Sequence, residues 1–221
     1  MIREIPFIPG AVIFDMDGLM LDTEKPIAET WLTASLALGW RVDAETAYKT
    51  IGINETATRE VLMRAYGPNF PYPEIRKLVE QILKDTFEKN GVPHKPGLLV
   101  LLDRLESLGV PMGVATSSRK ENALWKLEKA GILNRFRAMA FGDEIQRGKP
   151  APDIFLLAAE RLGKKPADCI GFEDSPPGLQ SLHNAGIPSV FVKDLLEPSQ
   201  EILKTVWRAC TDLASAAELF G

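Results

Sequence analysis

The chain has 221 residues, 45% of them hydrophobic and 25% charged, which suits one large domain or a domain carrying an insertion. A formal net charge of −4 lacks the basic footprint of a nucleic-acid surface, and no apolar run approaches membrane-spanning length. Cys169 and Cys210 form neither a metal-ligand spacing nor a disulfide framework, and the opening residues Met1 to Pro6 lack the apolar core of a signal peptide, so a cytoplasmic protein is expected.

The first element is Ala11-Val12-Ile13-Phe14, an apolar run that meets Asp15-Met16-Asp17-Gly18. Such a run reads as a buried strand of a parallel sheet, and ligands of open parallel sheets bind beyond the carboxyl ends of the strands. Residues i and i+2 of extended chain share a side, so Asp15 and Asp17 can face one site; they can equally cap the following turn. From Glu24 the pattern turns helical, with Ile27, Trp31, Ala34 and Leu38 on one face and Gly39 as the stop. Asp43 opens a short segment, and Asn54 reads as the N-cap of a helix running to Tyr66. Pro73 to Asn90 forms another helical stretch, with Ile75, Val79, Ile82 and Phe87 among its stripe. No strand candidate occurs between residues of roughly 20 and 92.

Beyond Val92, strand and helix alternate. Helices are expected at Leu98–Leu108, Arg119–Ala130, Asp153–Leu162, Pro177–Ala185 and Asp212–Leu219, and strands at Val110–Ala115, Ala138–Phe141, Cys169–Phe172 and Pro188–Val192. This order predicts an α/β fold, a doubly wound parallel sheet to which the Ala11 strand also belongs. The helical block then becomes an inserted cap over the strand ends. The expected division is a core of 1–20 and 93–221 and a cap of 21–92.

Three further polar clusters emerge at or beside strand ends: Thr116-Ser117, Lys149 between Gly148 and Pro150, and Glu173-Asp174. If they converge with Asp15 and Asp17, four carboxylates crowd together. Two such charges about 4 Å apart repel by roughly 4 kcal/mol at an effective dielectric near 20. A cation or proton sharing must relieve that. Hard oxygen donors without His or Cys point to Mg²⁺, while Thr116, Ser117 and Lys149 suit an incoming phosphate. One aspartate then serves as a nucleophile toward phosphorus and the other as an acid/base.

Asp15-Met16-Asp17-Gly18, Thr116-Ser117, Gly148-Lys149-Pro150 and Gly171-Phe172-Glu173-Asp174-Ser175 together resemble the haloacid dehalogenase superfamily. The likeness is to the branch with a helical cap, which holds sugar phosphatases and β-phosphoglucomutase. The resemblance implies Asp15 as nucleophile and Asp17 as acid/base, with Thr116 and Lys149 on the phosphoryl group. It also implies Mg²⁺ held by Asp15, Asp174 and the main-chain carbonyl of Asp17, with Glu173 in support. Glu55, Thr56 and Arg59 stand where this branch presents its specificity loop, whereas Arg119-Lys120 reads as a solvated helix start and His94 as structural. A small phosphorylated metabolite is the expected partner, with no nucleic acid and no membrane, and a monomer is the expected form. The alternatives are phosphoglucomutase chemistry and, from another class, a receiver-type phospho-accepting domain. Mutases of the branch carry a His near Ile27 and an Arg near Glu55, which favours the phosphatase; a receiver phosphorylates a later strand.

Overall fold

The structure, a computed structural model, describes residues 8–221 apart from Gly52 and Asn54, so the expected N-cap at Asn54 and the opening residues Met1 to Pro6 lie outside the described residues. Strand β1 (Ala11–Phe14) is followed by helices α1 (Glu24–Ala37), α2 (Ala44–Tyr48), α3 (Glu55–Tyr66) and α4 (Tyr72–Asn90). The remainder alternates: α5 (Leu98–Ser107), β2 (Met112–Thr116), α6 (Lys120–Lys129), β3 (Ala138–Phe141), α7 (Asp153–Arg161), β4 (Cys169–Glu173), α8 (Pro176–Ala185), β5 (Ser189–Val192), α9 (Gln200–Leu203), β6 (Arg208–Cys210) and α10 (Leu213–Ala217). All neighbouring strands pair in parallel, in the order β3-β2-β1-β4-β5-β6.

The sheet is doubly wound, as its sequence pattern predicts. Alternate residues of β1 point to opposite faces. Val12 and Phe14 join one core with leucines of α5, Leu127 of α6 and Leu213 of α10. Ala11 and Ile13 join the other with Phe155 of α7 and Leu182 of α8. Both faces are covered, which is why these strands read as continuous apolar runs. The sheet has one strand more than expected. β6 is a three-residue edge strand containing an exposed alanine and a half-exposed arginine, and it carries no apolar run to betray it.

Helices α1–α4 close around a third apolar cluster that includes Ala28, Trp31, Leu62, Ile75 and Val79. Within it the Trp31 and Tyr72 rings stack at 5.7 Å. Asp43 caps α2, its side chain accepting from the Thr46 backbone N–H at 2.8 Å. Among the described residues no helix is long and apolar enough to cross a membrane.

Candidate active site

Parallel register brings the polar clusters together. Phe14 lies between Val114 of β2 and Phe172 of β4, so the residues that follow leave the sheet at one place. The Asp15 N–H donates to the Phe172 carbonyl at 3.0 Å, which carries the ladder one residue past β1 and pins Asp15 at the carboxyl end of the sheet. Asp15 is 7% exposed, Thr116 2%, Asp174 5% and Glu173 0%, so these are buried polar groups that need partners.

Lys149 supplies the first. Its ammonium donates to Asp15 and, at 2.5 Å, to Glu173 Oε1, and it stands 4.9 Å over the Phe155 ring centroid. The other Glu173 oxygen accepts from the N–H groups of Asp174 (2.8 Å) and Ser175 (2.7 Å) and from the Ser175 hydroxyl (3.0 Å). Gly178 makes this possible, since a Cβ there would run into the Glu173 carboxylate. Burial pushes the Asp15 carboxyl up to about 7; Lys149 opposes the shift and the Glu173 charge adds to it. Burial would also lower the Lys149 ammonium, but Asp15 and Glu173 outweigh it and raise it.

Asp17 has different company. Oδ1 accepts from Thr23 Oγ1 at 2.7 Å and from Lys126 Nζ at 2.6 Å, and Oδ2 accepts from Ser118 Oγ at 2.8 Å. Burial would raise this carboxyl, yet Lys126 and the three hydrogen bonds hold it below its ordinary value. Two aspartates two residues apart are therefore pushed in opposite directions: burial favours the proton on Asp15, while the donors around Asp17 keep it ionised. Asp174 is less satisfied. Its Oδ1 is buried without a hydrogen-bond partner, and burial, then the Glu173 and Asp15 charges, push its carboxyl well above the ordinary range. Gly18, at φ +89°, lets the loop after β1 press against it: a Cβ at Gly18 would sit 2.6 Å from Asp174 Oδ2. Among the described residues no three acidic, His or Cys side chains form a ready-made metal cage.

Asp15, Asp17 and Lys149 open on a cavity of about 560 Å³ roofed by α1 and α4, whereas Glu173 and Asp174 are buried behind its lining. Asp15, Asp17, Thr116, Ser117 and Lys149 all line it, as does Glu55, whereas Thr56 and Arg59 do not. Arg119 is a solvated helix start, its side chain 67% exposed, and its guanidinium lies 3.1 Å from Glu55 Oε2 at the cavity. His94 Nε2 lies 2.7 Å from the Ala130 carbonyl oxygen, away from the carboxylates. Sequence reading missed Thr23, Glu24, Ser118 and Lys126, all but Thr23 lining the cavity. Ser118 belongs to a Thr-Ser-Ser run and was within reach of that reading; Lys126 sits mid-helix with no local signal.

A sequence profile of the Haloacid dehalogenase-like hydrolase family matches residues 12–192. A phosphorylated carbohydrates phosphatase of Thermotoga maritima is 31% identical over 181 residues, 82% of this chain and 83% of its own. A β-phosphoglucomutase of Bacillus subtilis is 31% identical over 188 residues, 82% of each chain. Among solved structures, β-phosphoglucomutase from Clostridium difficile superposes with a TM-score of 0.77 at 25% identity, covering 93% of this chain and 92% of that one. The match spans the opening strand, the helical insertion and the later strand ends, which sets the receiver-type alternative aside. The chain belongs to the haloacid dehalogenase-like hydrolase family.

Proposed function

We propose that the protein is a Mg²⁺-dependent phosphatase that hydrolyses a small phosphomonoester, a sugar phosphate or similar metabolite, through an aspartyl-phosphate on Asp15. The observation that carries this reading is the convergence of Asp15, Asp17, Thr116 and Lys149 on one roofed cavity. Residues 1–20 and 93–221 are taken as the core domain and 21–92 as its cap, working as a cytoplasmic monomer.

The donor set suits Mg²⁺. Asp15 and Asp174 are hard oxygen donors held above their ordinary pKa range, and Asp174 keeps one oxygen without a partner. Those two and the main-chain carbonyl of Asp17 would hold the ion, with Glu173 in support. When bound, the ion supplies the positive charge that keeps Asp15 ionised and offsets charge on the transferred group.

The chain's own residues do the rest. Lys149, Thr116 and Ser117 hold the phosphoryl oxygens. An Asp15 carboxylate oxygen attacks phosphorus, the ester bond breaks, and Asp17 gives its proton to the departing oxygen. Asp17 then takes a proton from water as that water attacks phosphorus, the bond to Asp15 breaks, and inorganic phosphate leaves. To act this way Asp17, which its donors hold ionised, must take up a proton and give up contacts it makes to Thr23, Ser118 and Lys126, as Asp15 loses the proton that burial favours on it. The cap shields the exchange from bulk water.

Mutase chemistry shares the first half of this sequence and differs in the acceptor. Glu55, paired with Arg119, puts a negative charge at the position of the mutase Arg, and Ile27 puts an apolar wall at that of the mutase His. Both disfavour a clamped bisphosphate, so water is the acceptor. The test is to incubate enzyme, with Mg²⁺ or with chelator, with β-glucose 1-phosphate and a trace of β-glucose 1,6-bisphosphate. Rapid glucose 6-phosphate formation with little inorganic phosphate would overturn the phosphatase reading in favour of the mutase. A wider panel of phosphorylated metabolites then identifies the substrate.

A further inference from the structure

Among the described residues Lys126 is the one cation paired with Asp17, and nothing in the phosphoryl-transfer chemistry above employs it. It projects from α6 into the cavity with its side chain 12% exposed. The neighbouring Trp125 packs against Phe87 of α4 at 6.4 Å between ring centroids, which fixes the turn of α6 that carries it. Glu24, 4% exposed, is the second carboxylate in its field.

The position of Lys126 follows from the role of Asp17. A proton donor to the leaving group must touch the ester oxygen, at a hydrogen-bond distance of about 2.8 Å. Lys126 Nζ lies 2.6 Å from Asp17 Oδ1, so it stands on the leaving-group side of the phosphoryl group. A hydroxyl on the carbon next to the ester carbon spans the gap between the two. As Asp17 turns to the ester oxygen, Lys126 loses an acceptor in a place where an ammonium cannot go without one. An acceptor on the substrate replaces it. Ile27 offers the carbon side of the leaving group an apolar contact.

We infer that Lys126 is a specificity-determining residue that donates a hydrogen bond to a hydroxyl adjacent to the phosphate-bearing carbon, so that preferred substrates are phosphomonoesters that carry that hydroxyl. This rests on the phosphatase reading. The test compares kcat/KM, with Mg²⁺, for propane-1,2-diol 1-phosphate and n-propyl phosphate, which differ only in that hydroxyl, and uses p-nitrophenyl phosphate as a general probe. Wild-type enzyme prefers the diol phosphate by about tenfold or more, the usual worth of a hydrogen bond from a charged donor. Lys126→Met shrinks that preference to about threefold or less. Lys126→Gln, neutral and shorter, carries the same readout if the methionine variant does not fold, with at least a threefold fall in preference expected. A preference that survives in the variants, or rates on both esters that fall by the same factor, overturns the inference while leaving the phosphatase reading standing. No hydrolysis of any of the three esters by wild-type enzyme overturns both.

Discussion

Replacing Asp15 by asparagine should stabilise the metal-free protein while abolishing turnover. The triad Asp15–Lys149–Glu173 holds two buried carboxylates and one ammonium, with Asp174 close by. The amide removes one negative charge and keeps an oxygen for Lys149, which retains Glu173 as its ionic partner at 2.5 Å. A carboxyl whose folded pKa is raised from 3.8 to about 7 contributes stability that is complete below 3.8 and is lost as pH climbs toward about 7. That displacement corresponds to roughly 4 kcal/mol, at about 1.4 kcal/mol for each pH unit. The pull of Lys149 is already contained in that displacement; what offsets part of it is the amide NH2, a buried donor with no acceptor assured, at about 1–3 kcal/mol. A net gain of about 1–3 kcal/mol at pH 7.5 remains. At roughly 2–4 °C per kcal/mol for a chain of this size, the melting temperature should rise by about 2–12 °C.

The assay is thermal unfolding of wild type and Asp15→Asn in excess EDTA at pH 4.5, 6 and 7.5. The gap should be near zero or reversed at pH 4.5 and widest at pH 7.5. Saturating Mg²⁺ should raise the wild-type melting temperature more than the variant's, because ions that bind only the native state stabilise it. A variant no more stable than wild type at pH 7.5, or a gap independent of pH, would refute this account of Asp15. Activity retained above about one hundredth of wild type would remove it from the nucleophile role, since losses of a nucleophile reach several orders of magnitude.

Asp17→Asn should cost about 10²–10⁴-fold on alkyl phosphates and less on p-nitrophenyl phosphate, whose leaving group needs no acid; equal losses on both would argue against the acid role. Gly178→Ala forces a methyl into the Glu173 carboxylate, so it should destabilise by about 1–3 kcal/mol and raise the Mg²⁺ requirement, both read from melting curves and rates against Mg²⁺. Asp43 is held down to about 2 by the Tyr66 hydroxyl and then the Thr46 N–H, so its contribution is complete above 3.8 and lost as pH falls toward 2. Asp43→Ala should therefore lower the melting temperature at pH 6 but much less at pH 2.5; an equal loss at both would count against the cap.

What could be read in the sequence follows from which physical signals are local. Five strands announce themselves because both faces of the sheet are covered and the runs are apolar throughout. β6 escapes because an edge strand of Arg208, Ala209 and Cys210 needs only backbone pairing to β5, which no side-chain pattern records. The first-strand aspartates, Thr116, Lys149 and Glu173-Asp174 are legible for one reason: parallel strands deliver their ends to one edge, so each motif can be placed from its own strand. Lys126 cannot be placed that way. It is separated from Asp17 by 109 positions and reaches it only because α6 packs at a particular rotation against the sheet. Arg119 and Glu55 fail similarly, since their pairing depends on where the cap comes to rest over the core.

The carboxylate cluster shows how such a miss changes the chemistry inferred. Four carboxylates counted at the strand ends demand a cation, and the sequence offered Lys149 as a phosphate binder and Mg²⁺ as the counter-ion. In the folded chain two lysines already divide the charge: Lys149 serves Asp15 and Glu173, and Lys126 serves Asp17. Glu173 is satisfied further by the main-chain N–H groups of Asp174 and Ser175. Asp174 is left with a buried oxygen that nothing donates to, beside an Asp15 held near neutrality. On the proposed reading, the carboxylates left to hold a metal narrow from four to two, Asp15 and Asp174. An ion seated there would pull negative charge off Lys149, freeing that ammonium to meet the phosphoryl oxygens. Metal entry and phosphate binding are then coupled through Lys149, so phosphate should bind more tightly with Mg²⁺ present than in EDTA, and Lys149→Met should erase most of that difference.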